Sequence, residues 1–409
     1  MNRRHRPLLT SAMILLLVTA CDSTTAETAT KATTSTSAIP RETVDRLVVL
    51  DGTGNIVTMD RAGNEVSALT DDADTHLGYF QPSWSPDASS IAASKVSSGS
   101  FSLVNFDLAT KTRSEIATEG SAFYVHWSPT SDRLAYLSTG TAGMGLTIAE
   151  FGESPTSTLL DHGQPFYFSW SPDGGRLATL IGQSRFEVRG IAAGERPSEI
   201  AEPGAFLNPA WTDAGIFYMT RTDGADQLVV GDPGGALKVL ARSPANTIFT
   251  VPASGDRIAV QALGEIDGVS ASRQQAPLLP LNRLVVVETA TGELARVTDT
   301  PVIAFFWDPA GEQLLVLDVG EGPHAARWSV WADGKLRELV EFVPSQVFLQ
   351  SFLPFFGQYA LSTTMWSPDG TAFAFAGFVG SEGGIYVQAV AGGDPVKVSE
   401  GSWVTWSPR

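Results

Sequence analysis

From residue 45 onward the chain is built of short runs that mix apolar and polar positions with a period near two. SLVNFDL (102–108), RLVVVETA (283–290) and GIYVQAV (384–390) are examples. Runs of this period, broken by Gly-, Asp- and Pro-containing turns, are antiparallel strands. They recur in a fixed order. An apolar strand ends at Trp, and a Ser-Pro-Asp-Gly turn follows. Pro presets φ for the first turn position, and Asp and Gly suit the next two. A second short strand comes back, such as RLATL (176–180). An alternating third leads through a polar, Gly-containing turn to a fourth, such as TRSEIAT (112–118) or PVKVSE (395–400).

Aligned on the aromatic, the phrase occurs at Trp84, Trp127, Trp170, Trp211, Val251 (in the Trp place), Trp307, Trp366 and Trp406. Most copies lie 40 to 43 residues apart, and the intervals 251–307 and 307–366 are longer. Four strands per repeat at this period is the signature of a propeller blade. The ends point to closure. RLVVLDG (46–52), NIVTMD (55–60) and EVSALT (65–70) read as the second, third and fourth strands of a blade, and SWVTWSP (402–408) reads as a first strand. One half-blade completes the other and leaves no free sheet edge. The expected fold is all-β: a single propeller of four-stranded antiparallel blades over residues 45–409. Eight blades are expected, or seven if the Val251 copy merges with its neighbour.

On this reading each Trp packs between neighbouring sheets, and Asp87, Asp173 and Asp369 are turn residues rather than repeated catalytic carboxylates. The Trp-Ser-Pro-Asp-Gly phrase resembles the repeats of TolB-like propellers, whose namesake is the periplasmic component of the Tol system. Similar repeats occur in the propellers of prolyl-oligopeptidase-type peptidases. The resemblance covers residues 45 to 409 and implies fold more than function. The WD-repeat proper (WD40-like) is a poorer match: Trp307-Asp308 spells its dipeptide, but Asp308 there replaces the Ser of the Trp-Ser-Pro phrase.

The N-terminus follows another pattern. Arg3, Arg4 and Arg6 precede the apolar LLTSAMILLLVTA, a secretory signal over residues 1–20. Val18-Thr19-Ala20-Cys21 resembles the bacterial lipobox, in which the Cys becomes the lipidated N-terminus. Cys21 is the only cysteine in the chain, so no intrachain disulfide is available and the core alone must hold the exported domain together. Residues 21–44 follow as a lipidated Cys and a Thr/Ser/Ala-rich stretch without the apolar side chains to order it. The expected location is the extracytoplasmic face of the cell membrane, periplasmic or extracellular, with Cys21 as the anchor.

The formal net charge is −17, and loss of the three signal arginines makes it more negative. Nucleic-acid binding through the phosphate backbone needs the opposite sign. An acidic surface is also repelled by anionic headgroups, so the lipid rather than the surface should hold the domain at the membrane.

In up-and-down blades the Ser-Pro-Asp-Gly turns fall on one face, and the second-to-third-strand loops and blade crossings on the other. Both long intervals put their extra residues on that second face. GEIDGVSASRQQAPLLPLN (264–282) reads as a mobile loop, and VPSQVFLQSFLPFFGQYALS (343–362) as a short helix or wedge at the channel mouth. The same face should carry Tyr79, Phe123, Tyr124, Phe166, Tyr167, Phe206, Tyr359 and Trp403. These aromatics either ring the channel mouth as a binding platform or pack beneath the crossings. Asp71, Asp72, Asp74 and His76 form a weak candidate metal cluster. The alternative is a solvated acidic loop, since a Ca²⁺ site needs six or more oxygens. His76 and His162 converging with Asp71 or Asp161 on a metal is a weaker possibility.

No HExxH, CxxC, GxSxG or Walker motif is present, so no catalytic residue and no cofactor is assigned. The leading expectation is a membrane-tethered, monomeric propeller that serves as a scaffold for an envelope protein or peptide. A propeller-face hydrolase or lyase on extracellular glycan or peptide is the alternative, favoured if two carboxylates converge within about 5 to 10 Å. A small-molecule or metal sensor in the channel is the third.

Overall fold

The computed structural model describes residues 44–164, 166–182, 184–192, 195–204, 208–222, 224–264 and 276–408. The signal segment, Cys21, the stretch up to residue 43 and Phe206 lie outside them. Residues 42–409 form one compact unit.

Among the described residues the strands form six four-stranded sheets and one seven-stranded sheet. The pairing is antiparallel, in chain order from inside to outside. The third sheet is typical: Ala122–Trp127, Leu134–Gly140, Gly143–Glu150 and Thr156–His162. The first sheet is made from both ends of the chain. Arg46–Leu50, Ile56–Asp60 and Ser67–Ala68 are completed by Trp403–Trp406, with Leu47 opposite Trp406 and Leu50 opposite Trp403. This is the expected closure.

The merger of repeats falls elsewhere than the alternative expectation placed it. The Val251 repeat has its own sheet, beginning at Asn246–Thr250. The seven-stranded sheet joins the Trp307 and Trp366 repeats. The ten-residue strand Lys335–Pro344 overruns its own blade and pairs Val343 with Phe378 and Pro344 with Gly377. Residues 345–362 then intervene, and the innermost strand of the Trp366 repeat is reduced to one bridge, Trp366 to Phe373. The count is therefore eight by repeats and seven by hydrogen-bonded sheets.

The repeated side chains tie neighbouring blades together. Trp127 Nε1 donates to the Ser83 carbonyl (3.2 Å), Trp170 Nε1 to His126 (3.0 Å), Trp307 Nε1 to Thr250 (3.1 Å) and Trp366 Nε1 to Phe306 (3.2 Å). In each case the acceptor is the residue just before the Trp position of another repeat. The residue after Trp has a second constant task. Ser85, Ser171 and Ser367 Oγ accept from the backbone N–H groups of Ser90, Arg176 and Ala372 at 3.0, 2.9 and 3.0 Å. Asp308 Oδ1 does the same for Gln313 at 2.7 Å, which explains why Asp substitutes for Ser there. Ser407 Oγ accepts from Arg46 N at 3.1 Å, so the same bond spans the two chain ends. The turn carboxylates cap their own loops, with Ser85 Oγ on Asp87 (2.7 Å) and Gly175 N on Asp173 (2.9 Å). Gly174 and Gly370 take φ of 68° and 65° there, the left-handed region that glycine enters without a Cβ clash.

Asp369 also reaches across the closure. Its Oδ2 accepts from Arg61 Nη2 at 2.9 Å, and Arg61 Nε donates to Asp45 at 2.6 Å. Burial acts to raise the Asp369 carboxyl, but bonds from Ser367, Thr371 and Arg61 outweigh it and hold it well below the usual carboxylate range. Asp132 is depressed in the same way: burial opposes, and Arg133, Thr130 and Ser128 outweigh it. A carboxylate with a depressed folded pKa binds fewer protons folded than unfolded. Its stabilisation is present above the unfolded value of about 3.9 and is lost as pH falls toward the folded one. Melting temperature should therefore be flat from pH 7 to 5 on account of these groups and fall below about pH 4. Asp369→Asn should lower it at pH 7 and shrink the acid loss. An acid limb of identical depth in Asp369→Asn would refute the assignment.

Candidate functional site

Residues 345–362 form a plug of three short helical pieces: Phe348–Phe352, Leu353–Phe355 and Phe356–Tyr359. Their sequence explains the turn. Phe348, Phe352 and Phe356 recur every fourth position on one face, and all three are buried. Ser345 Oγ accepts from Phe348 N at 3.2 Å and starts the first piece. The stripe packs on several repeats at once. Phe348 lies 6.4 Å from Trp328, Phe352 lies 5.8 Å from Phe306 and 5.7 Å from Trp403, and Phe356 lies 5.2 Å from Phe305 (ring centroids). Asn208 Nδ2 donates to the Gly357 carbonyl at 3.3 Å. The plug thus fills the space among the innermost strands.

Tyr359 is its polar hub. Its hydroxyl accepts from Gln81 Nε2 (2.9 Å) and from the backbone N–H of Tyr124 (3.3 Å). Tyr124 OH lies 3.2 Å from the Phe168 carbonyl, to which it donates, and 3.3 Å from His126 Nδ1. Burial pushes His126 down to about 3, so its imidazole is neutral at ordinary pH. Burial likewise raises the Tyr124 and Tyr359 phenols. Gln81 and Tyr124 hold φ of 50° and 48° at corresponding irregularities of two neighbouring innermost strands. Such strained non-glycine backbone persists only where its surroundings over-determine it.

Two cavities flank the plug, of about 280 and 340 Å³. They are adjacent, with Tyr167, Phe355 and Gln358 lining both, and are together called the cleft. Gln81, Tyr124, Tyr167, Asn208 and Ile248, which all line it, stand three residues before the Trp position in five consecutive repeats. No described lining residue is charged. On the Ser-Pro-Asp-Gly side a separate cavity of about 230 Å³ lies among Pro252, Trp307, Pro309 and Trp366.

The structure brings Phe123, Tyr124, Phe166, Tyr167 and Tyr359 together around the cleft. Tyr124, Phe166 and Tyr359 are buried in it, so they shape the floor rather than an open rim. Two candidate aromatics lie apart. Tyr79 OH donates to Asp72 at 2.7 Å with Arg113 over its ring, and burial and Asp72 push its phenol up to about 12. Trp403 is buried against Phe352. The sequence reading missed Gln81, Asn208, Ile248 and Gln358 because it followed aromatic residues. The third position before Trp would have found the first three.

Among the described residues no group of three or more His, Cys, Asp or Glu side chains is placed to hold a metal ion. Asp72 is taken by Tyr79 and faces Arg113 at 3.7 Å. Asp74 accepts the backbone N–H groups of His76 and Leu77 at 2.6 and 2.8 Å. Asp161 pairs with Arg189 and Arg185 at 2.7 and 2.9 Å, away from any joint site with His76. The loop expected to be mobile is anchored where described: Arg242 N donates to the Pro277 carbonyl at 2.8 Å, and Leu279 is buried.

No family model matches the chain, and no curated protein matches it. Solved structures do. TolB from Acinetobacter baumannii is 13% identical with a TM-score of 0.40, over 81% of this chain and 82% of its own. The propeller domain of the Trilobed protease from Pyrococcus furiosus is 12% identical with a TM-score of 0.48, over 80% and 96%. An oligogalacturonate lyase in complex with manganese is 15% identical with a TM-score of 0.46, over 70% and 82%. These likenesses speak to fold alone. The sheet order and the closure between the chain ends make the architecture of this chain a β-propeller of four-stranded antiparallel blades.

Proposed function

We propose that this chain is a lipid-anchored, extracytoplasmic β-propeller that binds a protein or peptide partner through its plug-bearing face. The supporting observation is where large apolar side chains stay exposed. Of the eleven large apolar side chains exposed among the described residues, five are Phe80, Val319, Leu349, Phe355 and Phe378. Leu349 and Phe355 belong to the plug, Val319 and Phe378 to strand ends, and Phe80 to an innermost strand beside Gln81, which the plug's Tyr359 contacts. Exposed large apolar side chains gathered on one face mark interaction surfaces. The chain enters the propeller on the opposite face, where Arg46 N meets the Ser407 turn. A two-carboxylate hydrolase or lyase has less support, since no carboxylate lines the cleft among the described residues.

Residues 42–409 used as bait on membrane extracts should retain a defined protein that a Phe80→Asp, Phe378→Asp variant of unchanged melting temperature loses. In cells, Cys21→Ser should move the protein out of the membrane fraction. Identical retention by parent and variant would overturn the interface, and unchanged fractionation the anchor.

A further inference from the structure

We infer that the cleft beside the plug is a binding site for a small uncharged ligand, one with a flat apolar ring and an adjoining amide-type group. The inference goes beyond partner binding at the rim and shares with it only Phe355. The two adjacent cavities, of about 280 and 340 Å³, lie at the lower end of the size that small-molecule sites take. Phe123 and Tyr167 come from two innermost strands and Phe355 from the plug, which gives the cleft aromatic walls suited to a ring. Charge is excluded by the lining. A carboxylate or ammonium in this cleft would lose its hydration and meet no described countercharge.

Two amides supply the polar complement. Gln358 lines both cavities and is only 5% exposed, and its Nε2 is buried with no hydrogen-bond partner. Such an unmade donor is costly where it stands. Rotation of the terminal amide toward the cleft would give it a ligand carbonyl to bond. Asn208 lines the second cavity. Its Nδ2 is held by the Gly357 carbonyl at 3.3 Å, which sets the amide's orientation, and its Oδ1 is left buried and unpartnered. A ligand amide offers both the missing acceptor and the missing donor. The strained backbone of Gln81 and Tyr124 borders the same cleft, as stored strain does at ligand sites.

The test titrates residues 42–409 with benzamide by ligand-observed NMR. Benzoate and benzamidine serve as negatively and positively charged controls of the same shape. Benzamide should bind saturably, and both controls at least about tenfold more weakly. Gln358→Met keeps the side-chain length and removes the unmade donor. It should leave the melting temperature unchanged or higher while weakening benzamide at least about tenfold. Met144→Phe, which fills the first cavity, should abolish binding in a folded protein and keeps the test decisive if the Gln358 variant does not fold. Absence of saturable benzamide binding, equal binding of all three probes, or binding undiminished in a folded variant would overturn the site. None of these outcomes bears on the rim, whose variants change Phe80 and Phe378.

Discussion

Deletion of residues 402–409 is expected to abolish cooperative thermal unfolding of residues 42–409, or to lower the melting temperature by well over 10 °C. The strand Trp403–Trp406 is the innermost strand of the first sheet. Its removal exposes the edge of Arg46–Leu50 along four residue pairs. Also lost are the bond from Trp406 Nε1 to Asp45 Oδ1 at 2.7 Å, the Arg61 guanidinium 5.6 Å over the Trp406 ring, and the Ser407 bond to Arg46. Trp406 is fully buried, and Trp403 and Val404 nearly so. Losing the burial of two tryptophans and a valine against the rest of the fold costs on the order of 10 kcal/mol. Whole domains are stable by only about 5–15 kcal/mol. The open ring would also present an unpaired strand edge and aggregate. Circular dichroism melts of the two proteins decide the matter. A melting temperature within about 2 °C of the parent would remove the chain-end pairing from any account of stability.

Phe352→Ala is expected to cost about 3–5 kcal/mol, the range for truncating a buried phenylalanine. Phe352 is 1% exposed and touches four rings: Phe348 at 4.9 Å, Tyr359 at 5.3 Å, Trp403 at 5.7 Å and Phe306 at 5.8 Å. These belong to the plug, to the closing strand and to the Trp307 repeat, so no single neighbour can collapse into the space without leaving another. The Tyr359 hub sits on this ring, and its bonds to Gln81 and Tyr124 should loosen with it. Leu349→Ala, three residues earlier on the outward side of the plug, should cost no more than about 0.5 kcal/mol. Urea titration of both variants measures the contrast. Equal midpoints would mean that the plug is a surface ornament rather than part of the core.

The propeller was legible in the chain because its determinants are local. Trp, the turn after it and the two-residue period of the strands act between neighbours in sequence. The half-blade at each end could be matched for the same reason: Leu47 and Trp406 lie far apart in the chain, but each stands in a repeat unit whose missing strand is evident. The richness of residues 343–362 in Phe and Leu pointed to a short helix or wedge. It did not show how deeply that segment enters.

The site was legible only in part. Following aromatics located Tyr124, Tyr167 and Tyr359, and with equal warrant Tyr79 and Trp403, which pack elsewhere. Gln81, Asn208 and Gln358 carry no local mark of their roles, because a lone amide reads as surface until its neighbours are known. The acids of 71–74 made a weak metal candidate as a string, yet once folded Asp72 is taken by Tyr79 and Arg113 and Asp74 by the turn at His76 and Leu77. Likewise, the overrun of Lys335–Pro344 onto Phe378 merges two repeats that the sequence writes as separate. Strand, turn and repeat were thus settled by residues a few positions apart, whereas the cleft was settled by the ring. Only closing it brings residues 81, 124, 167, 208 and 248 round one plug, and packing, not sequence distance, selects which of their side chains meet.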